Sequence, residues 1–217
     1  MSDVAGQTAH TPLRGGRILQ PATNVVRPSA HDATVHYVID AKRSTFTVQA
    51  FSTGILSAFG HDPKFAVRDL QGEAQFAASG TALENASLSL RIRADSLEVI
   101  DDISEKDKKE IYRQMYDEVL EADRFPEIVY TCSRVTANGT GDRYWAVLHG
   151  EFTLHGTTRP LPISARVVVT GESLRASGEF SIKQRDYGIA PVKVAGGAIK
   201  LEDEVKCTFD IVAGKQG

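Results

Sequence analysis

Alternation of apolar and polar residues over short segments constrains the fold of this chain more than any other feature of its sequence. The pattern begins near residue 35, and segments 45–50, 87–93 and 174–183 show it clearly. Because successive side chains of a β-strand lie on opposite faces, each of these segments has one apolar face and one polar face. Such strands are typical of antiparallel sheets with one side packed on a core and the other side in water.

The alternating segments number seven or eight, and most connections between them are short, as at residues 77–80, 137–142 and 171–173. Short connections favour hairpins between neighbouring strands. A sheet of this size must close or be covered, since exposed strand edges invite pairing with other chains. The sequence therefore predicts an all-β fold, an eight-stranded antiparallel lipocalin-like barrel that is either filled by side chains or holds one slender ligand.

One segment, at about residues 104–122, has helical periodicity instead. Its apolar residues Ile111, Met115 and Val119 are spaced four apart and share one face of a helix. Ser104 precedes Asp107 by three residues, which resembles a capping box at a helix N-terminus. We expect one α-helix here, plugging or flanking one end of the barrel.

Residues 1–33 contain proline and glycine breakers and no sustained period. They are predicted to form an extended, flexible N-terminal arm, followed by a single barrel domain over residues 34–214. The arm has no apolar core of the roughly 7–15 residues that a secretory signal needs, so we expect a cytoplasmic protein. No apolar stretch approaches the ~18 residues of a membrane-spanning helix, so no transmembrane segment is expected.

Charge and motif content exclude several function classes. The formal net charge of −3 leaves no basic surplus for a nucleic-acid partner. The six histidines and two cysteines have no metal-ligand spacing, and Cys132 and Cys207 are expected to be buried thiols on apolar strand faces. Nucleophile-elbow and phosphate-loop motifs are absent, so neither catalytic residues, nor a metal, nor a cofactor is predicted.

Strand parity identifies the residues that face the barrel interior. Several of them are small, namely Ala50, Gly72, Ala74, Ala165, Ala176 and Gly178, which favours a partly empty interior. The predicted ligand-binding tunnel is lined by Phe46, Val48, Leu70, Phe76, Leu88, Leu90, Ile92, Tyr130, Ile163, Val167, Phe180, Ile182 and Phe209. A β-bulge would invert part of this set, and Gly150 is a candidate bulge position.

Three residues next to predicted turns are candidates for contacting a head group at the barrel mouth. His61 and Asp62 lie in a Gly-His-Asp-Pro turn. They form either a local hydrogen-bonded turn or a contact to a ligand, or they act as an acid/base pair on a small molecule. Arg159 and Arg185 also flank turns, where a guanidinium can bind a phosphate or a polarised carbonyl or can pair with a carboxylate of the protein.

Six stretches in order along the chain together resemble the YceI-like family of bacterial polyisoprenoid-binding barrels. They are YVIDAKRSTFTVQAF, FAVRDLQGEAQF, ADSLEVID, VLEADRFPEIVYTCSRV, GEFTLHGTTRPLPI and FSIKQRDYGIAP, and the resemblance spans roughly residues 36–213. It implies an eight-stranded antiparallel barrel around a long apolar tunnel. It also implies a carrier of isoprenoid chains, including quinone side chains and polyprenyl phosphates.

The sequence thus predicts non-catalytic binding, transport or storage of a long apolar isoprenoid lipid, such as a polyprenol, a polyprenyl phosphate or the tail of an isoprenoid quinone. A buried hydrocarbon chain gains about 0.8 kcal/mol per CH₂, so chain length should matter more than the head group. Two alternatives stay open: an enzyme using His61 and Asp62, and a packed interaction module without a ligand. Phe51, Val129 and Val168 on polar strand faces are candidate contacts of a homodimer.

Overall fold

The computed structural model describes residues 34–53, 62–79, 81–194 and 199–216. These residues form twelve strands, one helical segment and two short 3₁₀ turns, at Ala94–Ser96 and Gln184–Tyr187. The strands are β1 (Val35–Ile39), β2 (Thr45–Thr53), β3 (Lys64–Val67), β4 (Leu70–Ser79), β5 (Ala82–Arg93), β6 (Leu97–Val99), β7 (Glu127–Thr140), β8 (Arg143–Leu154), β9 (Thr157–Thr170), β10 (Ser173–Lys183), β11 (Lys193–Val194) and β12 (Ile199–Lys215). The predicted arm, residues 1–33, lies outside the described residues.

Eight of these strands close into the predicted antiparallel barrel. Their order around the ring is β1-β4-β5-β7-β8-β9-β10-β12, and β12 pairs with β1 to close it. The closed path pairs most strand edges, as expected for a sheet of this many strands, and β9 and β10 pair only through residues 166–170 and 173–177. The hairpin loop between β7 and β8 is shorter than expected. Of the loop predicted over residues 137–142, only residues 141–142 form the turn, and the rest belongs to β7.

The ring is continued at one end by a three-stranded extension. Strand β12 is long enough to pair with β2 through residues 200–210 and with β1 through residues 213–215. β2 then pairs with β3, and β3 pairs with β6, so the sheet path ends at β6 without reaching β7. This end of the barrel is therefore open on one side in its backbone pairing.

The helical segment lies against that opening. It consists of α1 (Glu105–Arg113) continued by a π-helical turn over Gln114–Val119, where the Leu120 N–H donates to the Met115 carbonyl at 2.9 Å. This confirms the helix predicted at about residues 104–122. The Ser104 hydroxyl accepts from the Asp107 N–H at 3.1 Å and donates to the Asp107 carboxylate at 2.7 Å, which caps the helix.

Two tyrosines of this segment replace the missing neighbour of β6. The Val99 N–H donates to the Tyr112 hydroxyl at 3.1 Å, and the Tyr116 hydroxyl donates to the Leu97 carbonyl at 2.5 Å. Both backbone groups belong to the outer edge of β6, where a further strand would otherwise pair. Satisfying them matters because an unpaired, partly buried backbone group costs about as much as a lost hydrogen bond. The helical segment is thereby attached to the sheet edge.

The core follows strand parity apart from register shifts at Gln75/Ala77, at Leu201/Val205 and beside Gly150. Cys132 pairs with Gly150 and Val135 pairs with Leu148, so β7 carries an extra residue in this stretch. The bulge predicted at Gly150 is therefore in the partner strand. Gly150 is needed for another reason, because a Cβ there would lie 2.4 Å from Cζ of Tyr130.

Candidate functional site

The interior of the barrel holds two cavities, which we call the narrow chamber and the wide chamber. The narrow chamber lies inside the closed ring and has a volume of about 110 Å³. Its wall is apolar apart from Gln75, Ser87 and the hydroxyl of Tyr130. The ring strands provide this wall through their inward-facing alternate residues, as the sequence pattern predicted.

The wide chamber lies at the end where the ring is continued by β2, β3 and β6, and its volume is about 400 Å³. One wall is the helical segment, through Ile111, Met115, Val119 and Leu120. Sequence analysis expected this segment at a barrel end but did not assign its residues to the site. The apolar stripe at helical spacing was the signal that could have identified them.

A layer of phenylalanines separates the two chambers. Phe46, Phe180 and Phe209 face the narrow chamber, and Phe152 lines both chambers. Their ring centroids lie 6.2 to 6.5 Å apart in the contacting pairs. The residues two positions away along the same strands, on the other side of this layer, line the wide chamber; they are Val48, Ile182 and Cys207. We refer to Phe46, Phe152, Phe180 and Phe209 as the aromatic layer.

The structure brings nearly all of the predicted tunnel residues to the two chambers. Leu70 is buried but lines neither chamber. The narrow chamber is lined by Phe46, Phe76, Leu88, Leu90, Ile92, Tyr130, Ile163, Val167, Phe180 and Phe209, and the wide chamber by Val48 and Ile182.

Of the three predicted mouth residues, Arg159 and Arg185 are described and line neither chamber. Arg159 is exposed, and its Nε donates to the Asp186 carbonyl. Arg185 is exposed, and its backbone N–H donates to the Asp203 carboxylate at 2.9 Å. His61 lies outside the described residues. Its neighbour Asp62 accepts from the N–H and the hydroxyl of Ser52, ten residues earlier, at 2.7 and 3.0 Å.

Not every small inward residue leaves empty space. A Cβ on Gly178 would lie 2.7 Å from Cζ of Phe209, and one on Gly72 would lie 2.9 Å from Cδ1 of Ile39. These glycines are therefore covered by the larger side chains of neighbouring strands. The alanines behave as expected, because Ala50 lines the wide chamber and Ala74, Ala165 and Ala176 line the narrow chamber.

Burial keeps the hydroxyl of Tyr130 and the two thiols of the interior protonated. The Tyr130 hydroxyl donates to the carbonyls of Leu148 and Leu161 at 3.0 and 3.1 Å, and burial raises its pKa well above the usual value. Burial also raises the pKa of both free thiols, and that of Cys207 reaches about 12. Both thiols are therefore uncharged at neutral pH and poorly nucleophilic.

Four polar side chains line the wide chamber and were not predicted. They are Asp101, Asp107, Gln114 and Gln184. Gln184 is buried, and its Nε2 donates to the Glu202 carbonyl at 2.9 Å. It follows Phe180 and Ile182 at the same spacing of two, but it lies in the 3₁₀ turn after β10, where strand parity no longer applies.

The two late motifs, HGTTRP and KQRDYGI, meet at the wide-chamber end. His155 and Gly156 both have positive φ (50° and 70°), which forms a two-residue hairpin turn between β8 and β9. Arg159 of the first motif contacts Asp186 of the second. Tyr187 packs edge-on against Phe152, with ring centroids 5.6 Å apart. The motifs therefore hold the start of β9 against the turn that carries Gln184.

Within the described ranges, no three His, Cys, Asp or Glu side chains converge in a way that could hold a metal ion. No helix among these residues has the length and apolar character needed to cross a bilayer.

A closed antiparallel barrel with a partly empty, mostly apolar interior defines the class of lipocalin-like barrels. The family model described as YceI-like domain matches residues 37–213, and the chain belongs to this family. The six stretches over residues 36–213 that resemble this family in sequence predicted the same assignment.

Relatives of known sequence and structure agree with this assignment. The chain is 27% identical to a UPF0312 protein of Shewanella sp. strain ANA-3 over 185 residues, covering 82% of this chain and 84% of that protein. The fold is similar to that of Burkholderia cenocepacia BcnA (TM-score 0.61, 17% identity, 80% of this chain and 98% of BcnA). It is also similar to a polyisoprenoid-binding domain from Saccharophagus degradans (TM-score 0.59, 15% identity, 83% and 98% covered).

Proposed function

We propose that this protein binds a long apolar isoprenoid-type lipid in the two chambers and carries or stores it without chemical change. The observation that supports this most directly is the wide chamber, a mostly apolar space of about 400 Å³ between the sheet and the helical segment. Membership of the YceI-like family and the similarity to a domain named for polyisoprenoid binding point the same way.

The size of the chambers fits a hydrocarbon chain of moderate length. An apolar protein cavity of about 150 Å³ holds one benzene molecule. By that measure the wide chamber takes about sixteen carbon atoms, or about three isoprene units, and the narrow chamber about four carbons. A longer tail would extend through the aromatic layer into the narrow chamber, which requires the phenylalanines to move apart.

The energetics make chain length the main determinant of affinity. Each buried CH₂ contributes about 0.8 kcal/mol, so a chain filling the wide chamber gains about 13 kcal/mol. Association itself costs about 4–15 kcal/mol. The first buried carbon atoms of the chain therefore offset the free-energy cost of association, and each further buried carbon increases the net affinity.

The test is the binding of a ladder of isoprenoid alcohols to purified protein, measured by native mass spectrometry and calorimetry. Affinity should rise by about tenfold or more from geraniol to farnesol. Val48→Phe, which fills the wide chamber, should abolish most of this gain. Val168→Phe on the opposite strand face is the matched control and should bind as the parent does. Absence of binding by all the alcohols, together with no lipid in an organic extract, would disprove the proposal.

The packed-module alternative has less support, because a fully packed interior would leave no wide chamber. The acid/base alternative depends on His61, and the local contacts of Asp62 to Ser52 give it no added support. The cytoplasmic location and the homodimer stay predictions. Fractionation of the source cells and sedimentation of the purified protein would test them.

A further inference from the structure

The polar side chains that line the wide chamber are either acidic or uncharged. Two are carboxylates, Asp101 and Asp107, and two are amides, Gln114 and Gln184. Among the described residues no lysine or arginine lines this chamber. In sequence, the three internal stretches that the structure does not describe, 54–61, residue 80 and 195–198, contain neither lysine nor arginine.

This arrangement is unfavourable for an anionic head group. Buried or partly buried phosphates in proteins are normally bound by arginine, lysine or several backbone N–H groups. Here Asp107 and Glu105 occupy the first turn of α1 and already complement the positive end of its dipole. Lys108 is paired with Glu105 at 3.1 Å. A phosphate entering the chamber would meet carboxylates without a compensating lysine or arginine among the described residues.

Gln184, unlike the two carboxylates, provides an uncharged hydrogen-bonding group in the wall of the wide chamber. It is 7% exposed, and it is the one buried polar or charged side chain in the described part of the chain. Its contact to the Glu202 carbonyl uses one N–H. The second N–H and Oε1 have no partner among the described residues. A buried amide with unused donor and acceptor capacity normally meets a partner, since leaving such groups unpaired is costly.

We propose that Gln184 is a specificity-determining contact and that the wide chamber selects isoprenoids with an uncharged, oxygen-bearing head group, an alcohol or a quinone carbonyl, over polyprenyl phosphates. The inference rests on the proposed function and identifies the ligand class for the same site. The carboxylates Asp101 and Asp107 exclude the anion, and the Gln184 amide binds the neutral oxygen.

Three probes with the same twenty-carbon tail test this: geranylgeraniol, geranylgeranyl monophosphate and a C20 isoprenoid hydrocarbon. The parent protein should bind the alcohol about tenfold more tightly than the hydrocarbon, as expected for one buried hydrogen-bonded head group. The phosphate should bind more weakly than the alcohol. Gln184→Met, of similar volume, should lower alcohol affinity to that of the hydrocarbon and leave hydrocarbon affinity unchanged. The control Gln71→Met, on an exposed strand face, should change none of the three.

A second variant tests the charge argument independently. Asp101→Asn with Asp107→Asn keeps the acceptor oxygens for the Lys64 N–H and the Ser104 hydroxyl while removing both charges. Phosphate affinity should rise toward that of the alcohol, which should itself stay the same. Phosphate binding as tight as alcohol binding in the parent would overturn the inference. An equal loss for all three probes in Gln184→Met would mean that Gln184 is structural only. If none of the probes binds the parent, the proposed function fails instead.

Discussion

The narrow chamber and the wide chamber are built from the same alternating strands, yet one is almost filled and the other is not. In the narrow chamber, eight strands close on themselves and their inward side chains interdigitate, so even glycine positions are covered by neighbouring side chains. In the wide chamber, the sheet stops at β6 and a helical segment completes the wall. Backbone closure therefore fills an interior, whereas an opening covered by a helix leaves room for a ligand.

The largest expected effect concerns the aromatic layer that divides the chambers. Phe209 is buried and contacts Phe46, Phe180 and the Gly178 backbone. Phe209→Ala should lower the free energy of unfolding by about 3–5 kcal/mol, because it removes a ring from a packed layer. Urea unfolding measures this. A loss below about 1 kcal/mol would mean that the layer is loosely packed and that the two chambers are one.

A matched pair of alanines tests the difference between the chambers directly. Ala165 lines the narrow chamber and Ala50 lines the wide chamber, and both are buried. Ala165→Leu should destabilise the fold by about 1–3 kcal/mol through overpacking. Ala50→Leu adds the same volume to a space that can take it, so its stability should stay close to that of the parent while farnesol affinity falls. Equal destabilisation by both changes would contradict the division into a filled and an empty chamber.

A pH dependence follows from the buried thiol at the wide chamber. The pKa of Cys207 is about 12 in the folded protein, above its value of about 8.5 in an unfolded chain. The folded state therefore retains the proton longer. The thiol's contribution to stability is complete below about pH 8.5 and is lost as pH rises toward 12, by up to about 1.4 kcal/mol per unit. In Cys207→Ala, the free energy of unfolding should fall less steeply between pH 8.5 and 10, as measured by urea unfolding. An unchanged slope would show that Cys207 ionises as readily when folded.

Whether the sequence predicts that a residue faces the interior depends on whether the residue lies within a regular strand. Period-2 alternation alone places Phe46 and Phe209 inside, because parity survives as long as register does. The same rule extended past Ile182 reaches Gln184, but the alternation ends where the 3₁₀ turn begins, and only the fold shows that this turn still faces the interior. Arg159 shares parity with Leu161 and Ile163 and pairs with Phe152 of β8, yet it is exposed, lines neither chamber and donates to a backbone carbonyl.

The wide chamber itself could not be predicted by counting strands. Its existence depends on β12 pairing with two successive strands, β1 and β2, so that β2, β3 and β6 extend past the ring. Such a pairing is a long-range property that local periodicity does not contain. The helical stripe of Ile111, Met115 and Val119 indicated an amphipathic helix, but what it covers is decided by where the sheet ends.

The smallest expected effect tests how that helical wall is held. Tyr112 and Tyr116 bind the free edge of β6 with their hydroxyls, one accepting from Val99 and one donating to Leu97. Tyr112→Phe and Tyr116→Phe should each cost about 0.5–1.5 kcal/mol, since each keeps its ring and loses one hydrogen bond. Hydrogen exchange of the Val99 amide should accelerate in Tyr112→Phe and not in the control Tyr144→Phe, whose ring lies at the other end of the barrel. If Val99 stays equally protected, the helix is held by its apolar face alone. The tyrosines would then not explain why β6 needs no further strand.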